Sequence, residues 1–307
     1  MKMKVAAFQT GPIEGAPEQT VQRALQLLDR AGEQKVKLAV FPESYYPGSH
    51  LLKLAKNNPD RYDALFSQFK ALAEPVPGPT SSRISDKARE HGMHVVFTMA
   101  ELGPNGRLYN ASVLIDHQGQ VLNVHRKTIL TPTVETPEFT PGNEFNVTDT
   151  SIGNIGQLIC ADSSCPESSR ILAIKGAQIV CLSMGGFRVE VNGRDMMGAV
   201  MDLCHASKTR AVDNSIFLIV ANLSCRIGAF EYFGKSRIIN YLGEVLAMGS
   251  EGPDREELVI AEIDVDDLAM LPLRMMSRRR PEIYKEILLP NPEAKGVDGR
   301  FLWSSTK

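Results

Sequence analysis

The sequence has no stretch approaching the roughly 18 apolar residues that a membrane span requires. Its N-terminus, Met1-Lys-Met-Lys-Val-Ala-Ala-Phe-Gln-Thr10, carries two lysines and only a short apolar segment, without the core of a signal peptide. An excess of one charge is missing too. Lys and Arg number 34 against 36 Asp and Glu, a net charge of −2, which gives no reason to invoke nucleic acid or a membrane surface. The one dense basic run, Arg278-Arg-Arg280, is too short for a polybasic patch. The five cysteines (160, 165, 181, 204 and 225) form an odd set without zinc-ligand spacing, so no metal site is expected from them. Free thiols in a reducing, cytoplasmic compartment are the expectation. Cys181, Cys204 and Cys225 fall in or beside apolar or helical segments and read as packing residues, as does Cys165. The six histidines are scattered, none at a telling distance from Cys160, which argues against a Cys–His–Asn protease. Low-complexity segments and linker-like breaks in composition are lacking as well.

What is present suits a globular chain with a sizeable core: 307 residues, 43% hydrophobic and 23% charged. Alternation over 4–10 predicts a first strand, and Val21, Leu25 and Leu28 predict a helix over 17–32. Residues 37–41 read as a buried strand ending at Pro42-Glu43. Helical pattern over 51–72 breaks near Pro59, and a further helix runs to His91 from a cap at Thr80 or Ser81. Strands are expected at 95–100, 155–159, 178–183, 216–222 and 258–263. Hairpins are expected around Asp116-His-Gln-Gly119 and Asn240-Tyr-Leu-Gly243. A helix is expected from Arg194 to Asp213, and some helical character over 264–275. Alternating strands and helices predict an α/β protein, with helices outside packed sheets. Residues 1–285 are expected to form one domain. Residues 286–307, with Pro290, Pro292 and Gly299, are expected to extend and to pack on a partner subunit.

Three expected strand ends carry reactive side chains. Cys160 closes the apolar run from Ile155, and from Pro166 the pattern turns helical, with Glu167 at the positive end of that helix. A lone cysteine there is more often packing than chemistry. Glu43 and Lys127 change that balance, because thiol, carboxylate and ammonium together supply acyl transfer through a thioester. The thiolate attacks, with Lys127 expected to lower the thiol pKa. The carboxylate takes the proton, returns it to the leaving amine, and later activates water. The ammonium faces the developing oxyanion, with the backbone N–H of Ala161 as a second donor; one such donor is worth about 2.7–4 kcal/mol.

Phe41-Pro-Glu43, Arg126-Lys127 and Cys160-x-Asp162-x-x-x-Pro166-Glu167-x-x-Arg170, in that order, resemble the nitrilase superfamily of carbon–nitrogen hydrolases. The likeness runs nearly end to end, through Val5-Ala-Ala-Phe-Gln9, Tyr109-Asn110, Arg210-Ala-Val-Asp-Asn214, Ala221-Asn222, Gly234-Lys-Ser236 and Arg279-Arg-Pro-Glu-Ile-Tyr284. The resemblance implies a four-layer α-β-β-α sandwich and no metal or organic cofactor. It also implies a homodimer or larger homo-oligomer. It assigns Glu43 as general base and acid, Lys127 as oxyanion stabiliser and Cys160 as nucleophile. It further implies a second, substrate-positioning glutamate in the loop after the lysine. Glu135, eight residues past Lys127, has the expected spacing, with Glu138 as competitor.

The residues beside the cysteine bear on which bond is cut. Nitrilases resemble Cys-Trp-Glu here, whereas this chain has Cys160-Ala-Asp162, although Thr131-Pro-Thr-Val-Glu135 echoes the nitrilase loop. D-carbamoylases carry two arginines that hold a substrate carboxylate. Ser163 and Ser164 stand there instead, which removes a bidentate anion anchor. The expectation is therefore an amidase acting on a small, uncharged amide, with Tyr45, Tyr46 and Phe187 as pocket walls. Nitrilase and N-carbamoyl amidohydrolase are the alternatives. A silent binding protein on the same fold, or a glutaminase serving a synthetase, are more distant ones.

Overall fold

The computed structural model describes residues 1–132, 135–188, 190–191, 194–195, 203–228, 230–270 and 275–289. Arg194 and Asp195, expected to open a helix, instead form a short strand, because they pair with Val191 and Glu190, and the helix is described from Leu203 onward. Residues 290–307 of the expected C-terminal extension lie outside the described residues.

The first half of the chain builds one sheet. Strand β1 (Lys2–Gln9) leads through helix α1 (Pro17–Glu33) to β2 (Val36–Val40), which pairs parallel to it. Two short helices, α2 (His50–Lys56) and α3 (Tyr62–Leu72), fill the excursion before α4 (Pro79–His91) and the parallel strand β3 (His94–Leu102). The break near Pro59 separates α2 from α3, since a helix-interior proline would lose a backbone hydrogen bond. Strands β4 (Leu108–Ile115) and β5 (Val121–Arg126) complete the sheet as a hairpin. Its turn is tied by Asp116, whose Oδ1 accepts from the backbone N–H of Gln118 and Gln120.

The second half repeats the plan. Strands β6 (Val147–Thr148) and β7 (Ile155–Ile159) precede α5 (Pro166–Ile174) and β8 (Ile179–Met184). The two-residue strands β9 (Glu190–Val191) and β10 (Arg194–Asp195) pair with each other, ahead of α6 (Leu203–Asn214) and β11 (Phe217–Asn222). A small hairpin, β12 (Ser224–Ile227) and β13 (Phe230–Phe233), then precedes β14 (Arg237–Ile239) and β15 (Val245–Met248). The last strand, β16 (Glu257–Asp264), crosses back to pair with β1. The sheet orders are β16-β1-β2-β3-β4-β5 and β15-β14-β11-β8-β7-β6.

Burial follows from this layering. Val5, Ala7, Leu38 and Val40 of the first sheet meet Ile155, Ile179, Phe217 and Ile219 of the second in a core between the sheets. The outer faces are covered by α1 and α4 on one side and by α5 and α6 on the other. Strands buried on both faces read as continuous apolar runs, which is why the sequence pattern locates them. The result is a four-layer α-β-β-α sandwich. Gln157, the polar member of β7, explains itself: its amide donates to the backbone oxygen and hydroxyl of Ser112 in the facing sheet, at 2.8 and 2.9 Å. The helical character expected over 264–275 is seen, among the described residues, as a 3₁₀ helix over Val265–Met270. No helix of the described residues is long and apolar enough to cross a membrane.

Candidate functional site

Three loops at the ends of β2, β5 and β7 converge on one cavity of about 50 Å³. The first loop leaves β2 through Phe41-Pro-Glu43. Ser183 Oγ donates to the Phe41 carbonyl at 2.8 Å, Glu43 N donates to the Met184 carbonyl at 3.2 Å, and the Thr98 hydroxyl donates to the Pro42 carbonyl. Ser44 then adopts φ 50°, a left-handed turn that costs a non-glycine residue energy and swings the chain sharply after Glu43.

The second loop follows β5. Arg126 holds Glu101 through two hydrogen bonds of 2.7 and 2.6 Å and lies over the Tyr109 ring, which fixes the backbone just before Lys127. Lys127 is buried and projects its ammonium between two carboxylates, 2.7 Å from Glu43 Oε1 and 2.6 Å from Glu135 Oε2. Asn110 Nδ2 braces the same pair, donating to Glu43 at 3.0 Å and to Glu135 at 2.7 Å. Glu135 Oε2 also accepts from the Thr131 backbone N–H at 2.7 Å. Glu138 points elsewhere: it takes a hydrogen bond from Tyr62 at 2.5 Å and pairs with Lys56 at 2.8 Å. Of the two glutamates weighed from the sequence, Glu135 is the one beside Lys127.

The third loop is the tight turn Cys160–Ser164, entered with Cys160 at φ 42°. Asp162 ties this turn to the second loop. Its Oδ1 accepts from Thr128 N, Thr128 Oγ1 and Ile129 N at 3.0, 2.7 and 2.9 Å. Its Oδ2 accepts from Ile159 N at 3.0 Å and meets His125 Nε2 at 2.8 Å. One buried carboxylate thereby sets the distance between the Cys160 turn and the chain around Lys127. Burial raises the Asp162 pKa, but His125 and the backbone donors outweigh it and hold the group below its ordinary value.

The cavity's charges are strongly coupled. Burial raises the Glu43 pKa despite the offsetting ammonium of Lys127. Burial opposes the charge on Lys127, yet Glu43, Cys160 and Glu135 prevail and hold the ammonium pKa above its usual range. The thiol departs from the sequence expectation. Burial, with Glu43 and Glu135 adding their negative charge, pushes Cys160 up, and Lys127 only partly opposes them. Cys160 therefore rests as a thiol beside a carboxylate, a pair able to pass a proton as the sulfur bonds to an electrophile.

The expected wall residues divide. Phe187 lines the cavity. Tyr45 does not: the turn at Ser44 sends it into the core between the first sheet and its helices, with its ring 5.1 Å from Phe41 and 6.0 Å from Phe97. Tyr46 lines a neighbouring apolar cavity with Leu52, Phe69, Met99 and Phe139. The Ala161 methyl is off the cavity wall, while its backbone directly follows Cys160. The structure adds Ser44, Ser49, Lys53, Thr131, Gly185, Leu223 and Tyr232 to the wall. Most come from loops and from the β12–β13 hairpin, which the apolar pattern around Gly228 could have signalled. Among the described residues, the group with donor atoms close enough to share a metal is Asp29, Glu90 and His91, away from this cavity. Lys87 already bridges Asp29 and Glu90 there.

The chain is similar to known proteins along most of its length. The chain is 29% identical over 305 residues to an (R)-stereoselective amidase of a Pseudomonas species, covering 97% of each. It is 30% identical over 266 residues to a nitrilase of Pyrococcus abyssi, covering 86% of this chain and 90% of that one. The crystal structure of a carbon-nitrogen hydrolase from Helicobacter pylori G27 superposes with a TM-score of 0.76 at 26% identity, over 94% of this chain and 98% of the other. The sequence model of the carbon-nitrogen hydrolase family matches residues 4–272, and the chain belongs to that family, within the nitrilase superfamily.

Proposed function

We propose that the protein is an amidase, converting R-CO-NH₂ and water to R-COOH and ammonia through a thioester on Cys160. The observation that carries this reading is the Lys127 ammonium, hydrogen-bonded to both Glu43 and Glu135 on the wall of the cavity that Cys160 also lines. The Cys160 proton passes to Glu43 as sulfur bonds to the amide carbon. The oxyanion that forms faces Lys127 and the Ala161 N–H. Glu43 hands its proton to the nitrogen, the C–N bond breaks, and ammonia leaves. Water then attacks the thioester, giving its proton to Glu43, and the acid departs as the sulfur recovers a proton. Glu135 keeps Lys127 oriented and offers a carboxylate oxygen to the substrate's NH₂. The raised thiol pKa fits this sequence, because the proton moves only when an acyl carbon is there to be attacked.

Cys160-Ala-Asp162, rather than a nitrilase-like Cys-Trp-Glu, supports the amide over the nitrile. Exposed Ile171 and Ile174 on α5 and Val212 on α6 support a homo-oligomer, and a monomeric mass by light scattering would remove that part. The deciding test is ammonia release from amides, the matching nitriles and N-carbamoyl amino acids, with Cys160→Ala as blank. Amide turnover is expected. Turnover of nitriles or carbamoyl compounds without amides would overturn the reading. Residual Cys160→Ala activity above about a thousandth of wild type would overturn the nucleophile assignment.

A further inference from the structure

Lys53 is a buried cation that the reaction above does not use. It lies on α2 within His50-Leu-Leu-Lys-Leu-Ala-Lys56, is 8% exposed, and lines the same cavity as Cys160 and Lys127. Its ammonium donates to the Tyr232 hydroxyl and sits 4.0 Å from the Phe230 ring centroid and 4.4 Å from that of Tyr232. Lys127, the other buried lysine of the cavity, has two carboxylates and the Thr131 hydroxyl as partners. Lys53 has one hydroxyl and two aromatic faces. No described carboxylate pairs with it, and Glu43 and Glu14 reach it only through space. An ammonium has three N–H donors, and burying one without an anion is costly. Burial lowers its pKa to about 8, so it remains mostly charged at neutral pH.

We propose that Lys53 anchors a carboxylate on the substrate's acyl group, so that the preferred substrates are monoamides of short dicarboxylic acids. The inference rests on the amidase reading and specifies its acyl group. It also revises the uncharged substrate expected from the sequence, which sought a cation only at Ser163 and Ser164. The cation comes instead from α2, with the Ser49 and Tyr232 hydroxyls beside it as further donors to an anion. The cavity, about 50 Å³, sets the length: the chain between amide and carboxylate must be short. Both ends of such a substrate then meet a lysine, the amide carbonyl at Lys127 and the carboxylate at Lys53.

The test compares succinamate and glutaramate with butyramide and valeramide, their neutral counterparts, in the wild type, Lys53→Met and Lys53→Gln. The wild type should favour the charged amides in kcat/KM by about 100-fold, and both variants should lose that preference mainly through KM. The charged amides should lose at least about tenfold more in kcat/KM than the neutral ones. A wild type that prefers the neutral amides, or variants that lose both classes alike, would overturn the proposal. Charged and neutral nitriles run in parallel separate the two readings. Turnover of nitriles alone would sink the amidase, while their charge preference would still judge Lys53. Protection of Cys160 in the wild type against iodoacetamide reads binding without turnover or variants. Succinate or glutarate should protect where butyrate does not, and equal protection would count against the anchor.

Discussion

Glu135 Oε2 lies 2.6 Å from Lys127 Nζ, while Oε1 takes the Asn110 amide that also serves Glu43. Every oxygen position of Glu135 therefore faces a donor. Glu135→Gln would set an NH₂ against Lys127 and Thr131 N–H, or against Asn110. Turning the Asn110 amide over would only aim its oxygen at Glu43. The side chain keeps its size, so the fold should survive, with melting within a few degrees of wild type. The reacting groups should not keep their places, and kcat/KM should fall about 100-fold or more. A variant that unfolds would make Glu135 structural, and one with wild-type turnover would remove it from the site.

The raised Cys160 thiol makes a second prediction. A thiol held above the range of an ordinary free cysteine has little thiolate near neutral pH, so its alkylation depends on a base at hand. Glu43 is that base in the proposed reaction. Iodoacetamide should label Cys160 about 100-fold more slowly in Glu43→Gln than in the wild type. Equal rates, measured by mass spectrometry of the labelled peptide, would mean that Glu43 does not take the thiol proton.

What the sequence made legible is the part carried by local pattern. Glu43, Lys127 and Cys160 each end or follow a strand recognisable as an apolar run, so their placement at sheet ends could be read. The neighbours that decide substrate could not. Lys53 sits in a short amphipathic helix and looks like any solvated lysine until the β12–β13 hairpin, 179 residues on at Tyr232, closes over it. Tyr45 illustrates the reverse error. It follows Glu43 closely in sequence, but a positive φ at Ser44 sends it to the core. The direction of the Cys160 pKa also escaped the sequence. A lysine nearby lowers it, but burial and two carboxylates raise it, and their balance depends on three-dimensional packing.

His94 gives the fold a pH dependence separate from the site. It is buried at the start of β3, with its ring 5.3 Å from that of His117. Burial, then the neighbouring His117, lowers its pKa from 6.5 to about 4, against the pull of Asp116. Between these values the unfolded chain binds a proton that the folded one refuses. The stability this contributes is complete above about pH 6.5 and is lost as pH falls toward 4. Urea midpoints of the wild type and His94→Gln at neutral pH and at about pH 4.5 test this. The wild type should lose more on acidification than the variant, and parallel losses would clear His94 of the effect.

Asp162 should be worth far more to stability than a surface carboxylate. Asp162→Ala strands the buried backbone N–H of Ile159 and the buried His125 ring, together with the half-buried backbone N–H groups of Thr128 and Ile129. The expected cost is about 3–5 kcal/mol by urea unfolding at neutral pH. A loss under about 1 kcal/mol would mean that the Cys160 turn holds its shape without this carboxylate.

Gly185 tests how closely Glu43 must be held. A methyl group at position 185 would stand 2.8 Å from Glu43 Oε2, and 3.4 Å from the Leu223 side chain. Gly185 has no left-handed φ, so alanine fits its backbone, and the conflict is with the carboxylate alone. Glu43 is the softer party, since its neighbours along the chain are fixed by Thr98, Ser183 and Met184 while its carboxylate can swing. Swinging takes it off Lys127 and away from the thiol. Gly185→Ala should therefore melt within a few degrees of wild type yet lose about 100-fold in kcat, the order expected for a misplacement of about 1 Å. Iodoacetamide labelling of Cys160 should slow in parallel, because the same proton acceptor has moved. Unchanged kcat would show that Glu43 tolerates displacement and acts from more than one position. A large fall in melting temperature would instead place the conflict in the backbone, and the carboxylate would not be the part that yields.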